Sequence, residues 1–363
     1  MTAEAAPHAI SIAAGRRQAV AARVLLAAAA LLAIAALLSL SVGPTGITLA
    51  SLPRVIGAWL AGTSDASTAR EQLVLIDLRL PRTLLAMFVG ASLAVAGAMM
   101  QGLFRNPLAD PGLIGVSSGA ALAAVATIAL GNGIAAPILR PLGVYALPVA
   151  AFFGGAITTL ALVAFAGRHG RLMIGTLLLA GVALAAFTGA LTGLIAYMSN
   201  DRELRDVTLW SMGSLGGASW TKVIAVLPFA ALTLLVTPRL VRALNGFLLG
   251  EAEAFHLGID VEKAKRTIVL ATAASVGAAV AVSGIIGFVG LVTPHIVRIL
   301  AGPDHRVVLP GAALLGAAMV LLADVAARML VRPAEVPIGI VMAAIGAPVF
   351  LHLVTRRGIG GME

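Results

Sequence analysis

The chain has 363 residues, 60% of them hydrophobic and only 11% charged, with a formal net charge of +9. A soluble domain carries roughly a quarter of its residues charged, so this composition, with its repeated long apolar runs, excludes a soluble fold and defines a polytopic membrane protein. The basic residues are scattered and not clustered on one face, which excludes a nucleic-acid surface and fits basic cytoplasmic loops.

In chain order, Arg16, Arg17 and Arg23 precede an apolar run over 24–41, read as a retained first span with the N-terminus in the cytoplasm. The stretch 43–80 is an outside loop holding a short helix in LPRVIGAWLAG. Further spans are expected over 83–104, 111–130, 144–165 and 172–198. Asn200 and Glu203 then form a capping box for a short helix reaching Trp210 to Met212. A span over 223–238 precedes a long polar loop, 239–266. The charge-free run 267–297 is too long for one span, and Gly284, Gly287, Gly290 and Pro294 divide it into a full span and a shorter, broken one. Spans over 307–327 and 336–354 complete ten, with both termini inside, and a modest majority of the 25 Lys and Arg falls on the cytoplasmic side.

Two segments repeat at an offset of 187: VGASLAVAGAMMQGLFRNP (89–107) and VGAAVAVSGIIGFVGLVTP (276–294), with Gly90/Gly277, Gly97/Gly284 and Pro107/Pro294 coinciding. An odd number of spans per unit inverts the second copy, which is a transporter signature. The expected organisation is one permease domain over 1–363, with repeat 1 about 21–200 and repeat 2 about 201–357.

RLPRT (79–83), GAMMQGLFRNPLADPGLIGVSSGAA (97–121) and EVPIGIVMAAIGAPVFLHL (335–353) resemble the permeases of bacterial ABC importers for iron chelates, haem and cobalamin. The resemblance implies an all-α polytopic fold of ten transmembrane helices in two inverted five-helix repeats, acting as a homodimer in the bacterial inner membrane. It implies two P-loop ATPase subunits, a periplasmic binding protein and membrane lipid as partners, with haem the expected cargo and ferric siderophore or cobalamin the alternatives. No cofactor is expected to be held permanently, and ATP is used by the partner, since the chain has no G-x-x-x-x-G-K-[ST].

The same resemblance gives roles to residues. Arg79 and Arg82 of RLPR, with Arg328 of ADVAARM, would receive acidic residues of the binding protein, exposed at the outer rim. Guanidinium forks suit that task because they pair carboxylates in two-point fashion. Gly250, Glu251, Ala252, Glu253, Ala254 and Gly258 resemble the loop that docks into the ATPase. From its own residues, the loop joining the fourth and fifth spans at the cytoplasmic mouth, Gly167, Arg168, His169, Gly170 and Arg171, is expected to be a gate, since its two glycines permit the backbone adjustments a moving constriction needs. The pathway would run along the 172–198 and 336–354 spans and the short helix after the fifth span.

Read from residues alone, Asp324 admits two roles, a proton path or a local ion pair with Arg328 four residues on. The six histidines show no i, i+4 pair inside a span, and the chain has no cysteine, so no resident metal, haem or disulfide is expected. No nucleophile-and-base set is present, so the chain is not read as an enzyme. An ion-gradient-driven secondary transporter is the alternative class, but the mid-span sequences lack the charge it needs.

Overall fold

A computed structural model describes residues 5–43, 48, 50–63, 65–131, 133, 135–168, 171–331 and 334–357. Helix α1 (Ala5–Ser41) is followed by α2 (Leu52–Leu60), the short helix expected in 52–62. Asp65 then caps α3 (Ala66–Gln72) by accepting from the Thr68 N–H at 2.7 Å. The expected span at 83 starts well before that. Helical backbone is continuous from α3 through a π-helical stretch (Leu73–Arg79) into α4 (Leu80–Leu103). Pro81 has no N–H to give a regular helix, and the wider π turns just before it absorb the mismatch.

A turn in which Asp110 accepts from the Gly112 N–H (2.7 Å) leads into α5 (Val116–Leu130). Burial pushes the Asp110 carboxyl above its ordinary value, against the effect of that bond. Next come α6 (Ala136–Leu139) and α7 (Ala146–Ala166), then strands β1 (Gly167–Arg168) and β2 (Arg171–Leu172), paired antiparallel with Gly167 opposite Leu172. α8 (Ile174–Met198) precedes α9 (Asp201–Ser211), whose capping box is formed as expected: Asn200 accepts from the Glu203 N–H, and Glu203 accepts from the Asn200 N–H.

The remaining helices are α10 (Trp220–Phe247), α11 (Glu251–His256), α12 (Val261–Ser283), α13 (Val289–Ala301), α14 (His305–Leu330) and α15 (Ile338–Arg357). The break expected inside 267–297 falls between Ser283 and Val289. The polar loop expected over 239–266 is a correction. α10 runs through Pro238 to Phe247, and α12 begins at Val261. Leu240, Ala243, Leu244 and Phe247 recur at helical spacing and bury one face, while Arg239 and Arg242 stay exposed. An apolar stripe of that period continues a helix whatever the charge on its other side.

Among the described residues, seven helical stretches are long and apolar enough to cross a membrane, and Val116–Leu130, Val289–Ala301 and Ile338–His352 are shorter apolar helices. α4 lies at the centre, packed by α10, α12, α13 and α14, and every residue from Ser92 to Leu103 is buried. Gly97 and Gly90 make this possible. A Cβ on Gly97 would collide with the Gly290 carbonyl of α13, and one on Gly90 with the Gly316 carbonyl of α14. Between helices in lipid, such close backbone approach supplies the packing that the hydrophobic effect supplies in water.

Candidate functional site

α4 joins two charged clusters. At 1.5 Å per residue its length separates them by about 36 Å. The first gathers Arg79, Arg82 and Arg328, drawn together from positions far apart in the chain. They do not stand exposed, as the sequence suggested. Arg79 is 5% exposed and Arg328 8%. The reason is the end of α1, whose last carbonyls have no partner within the helix. Arg79 donates to Leu40 O, and Arg328 donates to Ser39 O (3.5 Å) and Val42 O (3.3 Å). Two cations therefore cap the negative end of the α1 dipole. Ser39 Oγ also lies 2.8 Å from Thr83 Oγ1, which pins α1 to α4.

Arg82 is half-buried and serves two carboxylates. Its Nη2 lies 2.8 Å from Asp324 Oδ1, and its Nη1 lies 2.9 Å from Glu335 Oε1. Asp324, buried, also pairs with Arg328 Nε at 3.1 Å. Of the two roles open to Asp324, the ion pair four residues away is formed, with Arg82 as a second partner. A carboxylate buried in an apolar bundle is tolerable only when paired like this. Glu335 was missed by the sequence reading; it lies 253 residues from Arg82, and no local pattern connects them.

The second cluster lies at the opposite end. α11 is framed by Gly250 at φ +125 and Gly258 at φ +75, left-handed conformations that favour glycine. Ala254 is buried, whereas Phe255 and Leu257 stay exposed, as does Leu249 just before α11, so the turn offers water an apolar face. Ala252 and Glu253 are exposed beside it. Arg242 Nη2 holds Leu257 O at 2.9 Å.

Behind α11 stands a residue the sequence reading did not single out. Lys265 is 3% exposed. Its Nζ lies 2.8 Å from Glu251, 2.9 Å from Glu262 and 3.0 Å from Leu172 O. Glu262 in turn accepts from the Leu172 N–H at 2.6 Å. Both backbone groups of Leu172 are therefore held by α12, and the same lysine holds α11. The available signal was a lysine at i+3 from Glu262 in the first turns of an apolar helix. An open cavity of about 1840 Å³ separates Arg171–Gly175 from the α11–α12 turn. Gly167 and Arg171 lie on the paired strands, as does the backbone of Arg168; His169 and Gly170 lie outside the described residues.

His305 is buried, with Nδ1 2.9 Å from Asn245 Oδ1, so it serves helix packing. Asp304, the N-cap of α14, sits below the ordinary carboxylate value. Partial burial opposes ionisation there, but the Arg306 N–H, the Asn245 amide and the charge of Arg306 outweigh it. Among the described residues no three His, Asp or Glu side chains converge on a metal position.

Membrane-length helices around a glycine-packed centre, with a paired arginine cluster at one end and an exposed apolar turn at the other, define a polytopic membrane protein. The chain belongs to the FecCD transport family, which it matches over residues 6–356. It is 47% identical over 306 residues to the hemin transport system permease protein HmuU of Yersinia pestis, covering 82% of this chain and 87% of that one. It is 44% identical over 300 residues to the vitamin B12 import system permease protein BtuC of Escherichia coli, covering 83% and 89%. A solved structure of an inward-facing metal-chelate type ABC transporter superposes with a TM-score of 0.79 at 33% identity, covering 92% of this chain and 99% of that chain.

Proposed function

We propose that the chain is the membrane permease of an ATP-driven importer that moves haem, or a related iron chelate, from a periplasmic binding protein to the cytoplasm. The observation that carries this is the 47% identity to a hemin permease along most of both chains. Cobalamin is the second reading, since the B12 permease is nearly as similar at 44%. Two copies, with two P-loop ATPase subunits, form the working unit in the bacterial inner membrane. The apolar residues that α8 leaves uncovered, Leu179, Phe187, Leu194 and Tyr197 among them, suit a face shared with a second copy and with the pathway.

The seven long and three shorter apolar helices support ten spans in two inverted repeats, about 21–200 and 201–357, with both termini in the cytoplasm. In that orientation the arginine cluster is outside and α11 inside. Arg82 presents the docking charge to the binding protein, and Arg79 and Arg328 position it from behind. Gly250 to Gly258 dock the ATPase through the exposed face around Phe255. The strand pair from Gly167 to Arg171 is the inward gate, and Lys265 joins it to the ATPase-docking turn.

The test is uptake into proteoliposomes holding the permease, its ATPase and its binding protein. Haem should accumulate only while ATP is hydrolysed. Accumulation of cobalamin but not haem would replace the cargo, and uptake driven by an ion gradient without ATP would replace the class.

A further inference from the structure

Of the three clustered arginines, Arg82 pairs with a carboxylate at the surface, and both two-point edges of its fork are taken. Its Nε lies 3.0 Å and 3.2 Å from the two Asp324 oxygens, and its Nη2 lies 2.8 Å from Asp324 Oδ1. The other edge is taken by Glu335, with Nη1 to Oε1 at 2.9 Å and Nη2 to Oε2 at 3.0 Å. Both two-point edges of the guanidinium are thus taken, and of its five N–H donors only one on Nη1 is left by these bonds. A carboxylate that pairs with Arg82 in two-point fashion must therefore displace one of the two.

Only one can leave. Asp324 has a side chain 1% exposed and shares itself with Arg328, so freeing it would strand charge in the bundle. Glu335 has a side chain 44% exposed and can step into water. An exposed pair of this kind is weak, so exchanging one carboxylate for another costs little. Glu335 is also placed to transmit the exchange. It lies two residues before Pro337, where the chain enters α15. Its Oε2 fills the space beside Gly216, 3.0 Å from where a Cβ on that glycine would be. Next to it, Ile338 N and Gly339 N bond Gly213 O (3.1 Å) and Met212 O (3.0 Å) at the end of α9.

We propose that Glu335 is a built-in occupant of the docking position on Arg82. An arriving carboxylate of the binding protein exchanges it off the guanidinium, and its departure loosens the joint between α9 and α15 that borders the pathway. The proposal rests on the reading of Arg82 as the docking residue, and the test separates the two.

Binding-protein affinity is measured on the permease–ATPase complex in nanodiscs. Glu335→Gln removes the competitor and should tighten docking roughly two- to fivefold, the range an exposed ion pair spans. A residue with a merely structural role would weaken docking or leave it unchanged. Asp77→Asn is the control. Asp77 is exposed two residues before Arg79, makes no ion pair among the described residues, and removes the same charge. It should give a clearly smaller gain. In an Arg82→Gln background docking should be weak, and Glu335→Gln should bring no further gain.

If Arg82→Gln leaves affinity unchanged, the docking reading fails and the exchange with it. If Arg82→Gln weakens docking but Glu335→Gln does not tighten it, docking at Arg82 stands and the exchange is wrong. An equal gain from Asp77→Asn, or a gain from Glu335→Gln that survives the loss of Arg82, assigns the effect to net charge and overturns the proposal.

Discussion

Lys265→Met keeps most of the unbranched side chain and removes its charged end. Three contacts go, to Glu251 (2.8 Å), Glu262 (2.9 Å) and Leu172 O (3.0 Å). Glu251 and Glu262 reach water and can rehydrate, so each loses what an exposed pair contributes, about 0.2–1 kcal/mol. The Leu172 carbonyl loses a buried partner, about 1–3 kcal/mol. Methionine no longer has an ammonium to desolvate, which offsets part of this. The net loss is about 1–3 kcal/mol, small enough for the protein to assemble. Glu262 still holds the Leu172 N–H at 2.6 Å, so β2 stays attached to α12 while α11 loses its tie to both. If that tie carries motion from ATPase to gate, a coupling energy of this size corresponds to a factor of about 5–150. In proteoliposomes the variant should bind its ATPase and hydrolyse ATP, but use at least about fivefold more ATP per substrate moved. An assembled Lys265→Met complex with wild-type stoichiometry would refute the reasoning.

Three further outcomes follow from the same geometry. Gly97→Ala drives a methyl into the Gly290 backbone and should cost at least about 1–3 kcal/mol, read as a lower melting temperature of the purified permease. Arg328→Gln should leave Asp324 with Arg82 alone and weaken the cap on α1, costing about 3–5 kcal/mol as a broken buried pair does, and Arg82→Gln, which takes the other partner from Asp324, should lower the melting temperature too and in addition cut uptake with ATPase activity retained. Normal uptake by an assembled Arg82→Gln complex would make Arg82 a structural residue. Cross-linking the Gly167–Arg171 turn between two copies should stop transport with the binding protein still docking, and undiminished uptake would remove the gate.

The helices were legible in the sequence because their determinants are local. An apolar run of about 20 residues spans the hydrocarbon core and satisfies its own backbone bonds. The capping box at Asn200 and Glu203 needs only residues three apart, and the break after Ser283 follows from Gly284 at φ +69. The Asp324–Arg328 pair is one helical turn. The extension of α10 to Phe247 was written in the spacing of Leu240, Ala243, Leu244 and Phe247, but charges on the other face hid it. Tertiary structure alone decided which way the arginines face. Nothing near Arg79 in sequence says that its donors end on Leu40 O, or that Arg328 reaches Ser39 and Val42. Long flexible cations are drawn to whatever unpaired carbonyl or carboxylate the packing of distant helices leaves in a low-dielectric interior, where an unmet charge is costly. The same holds for Lys265 on Leu172 and Glu335 on Arg82, partners that come together only once the helices have packed.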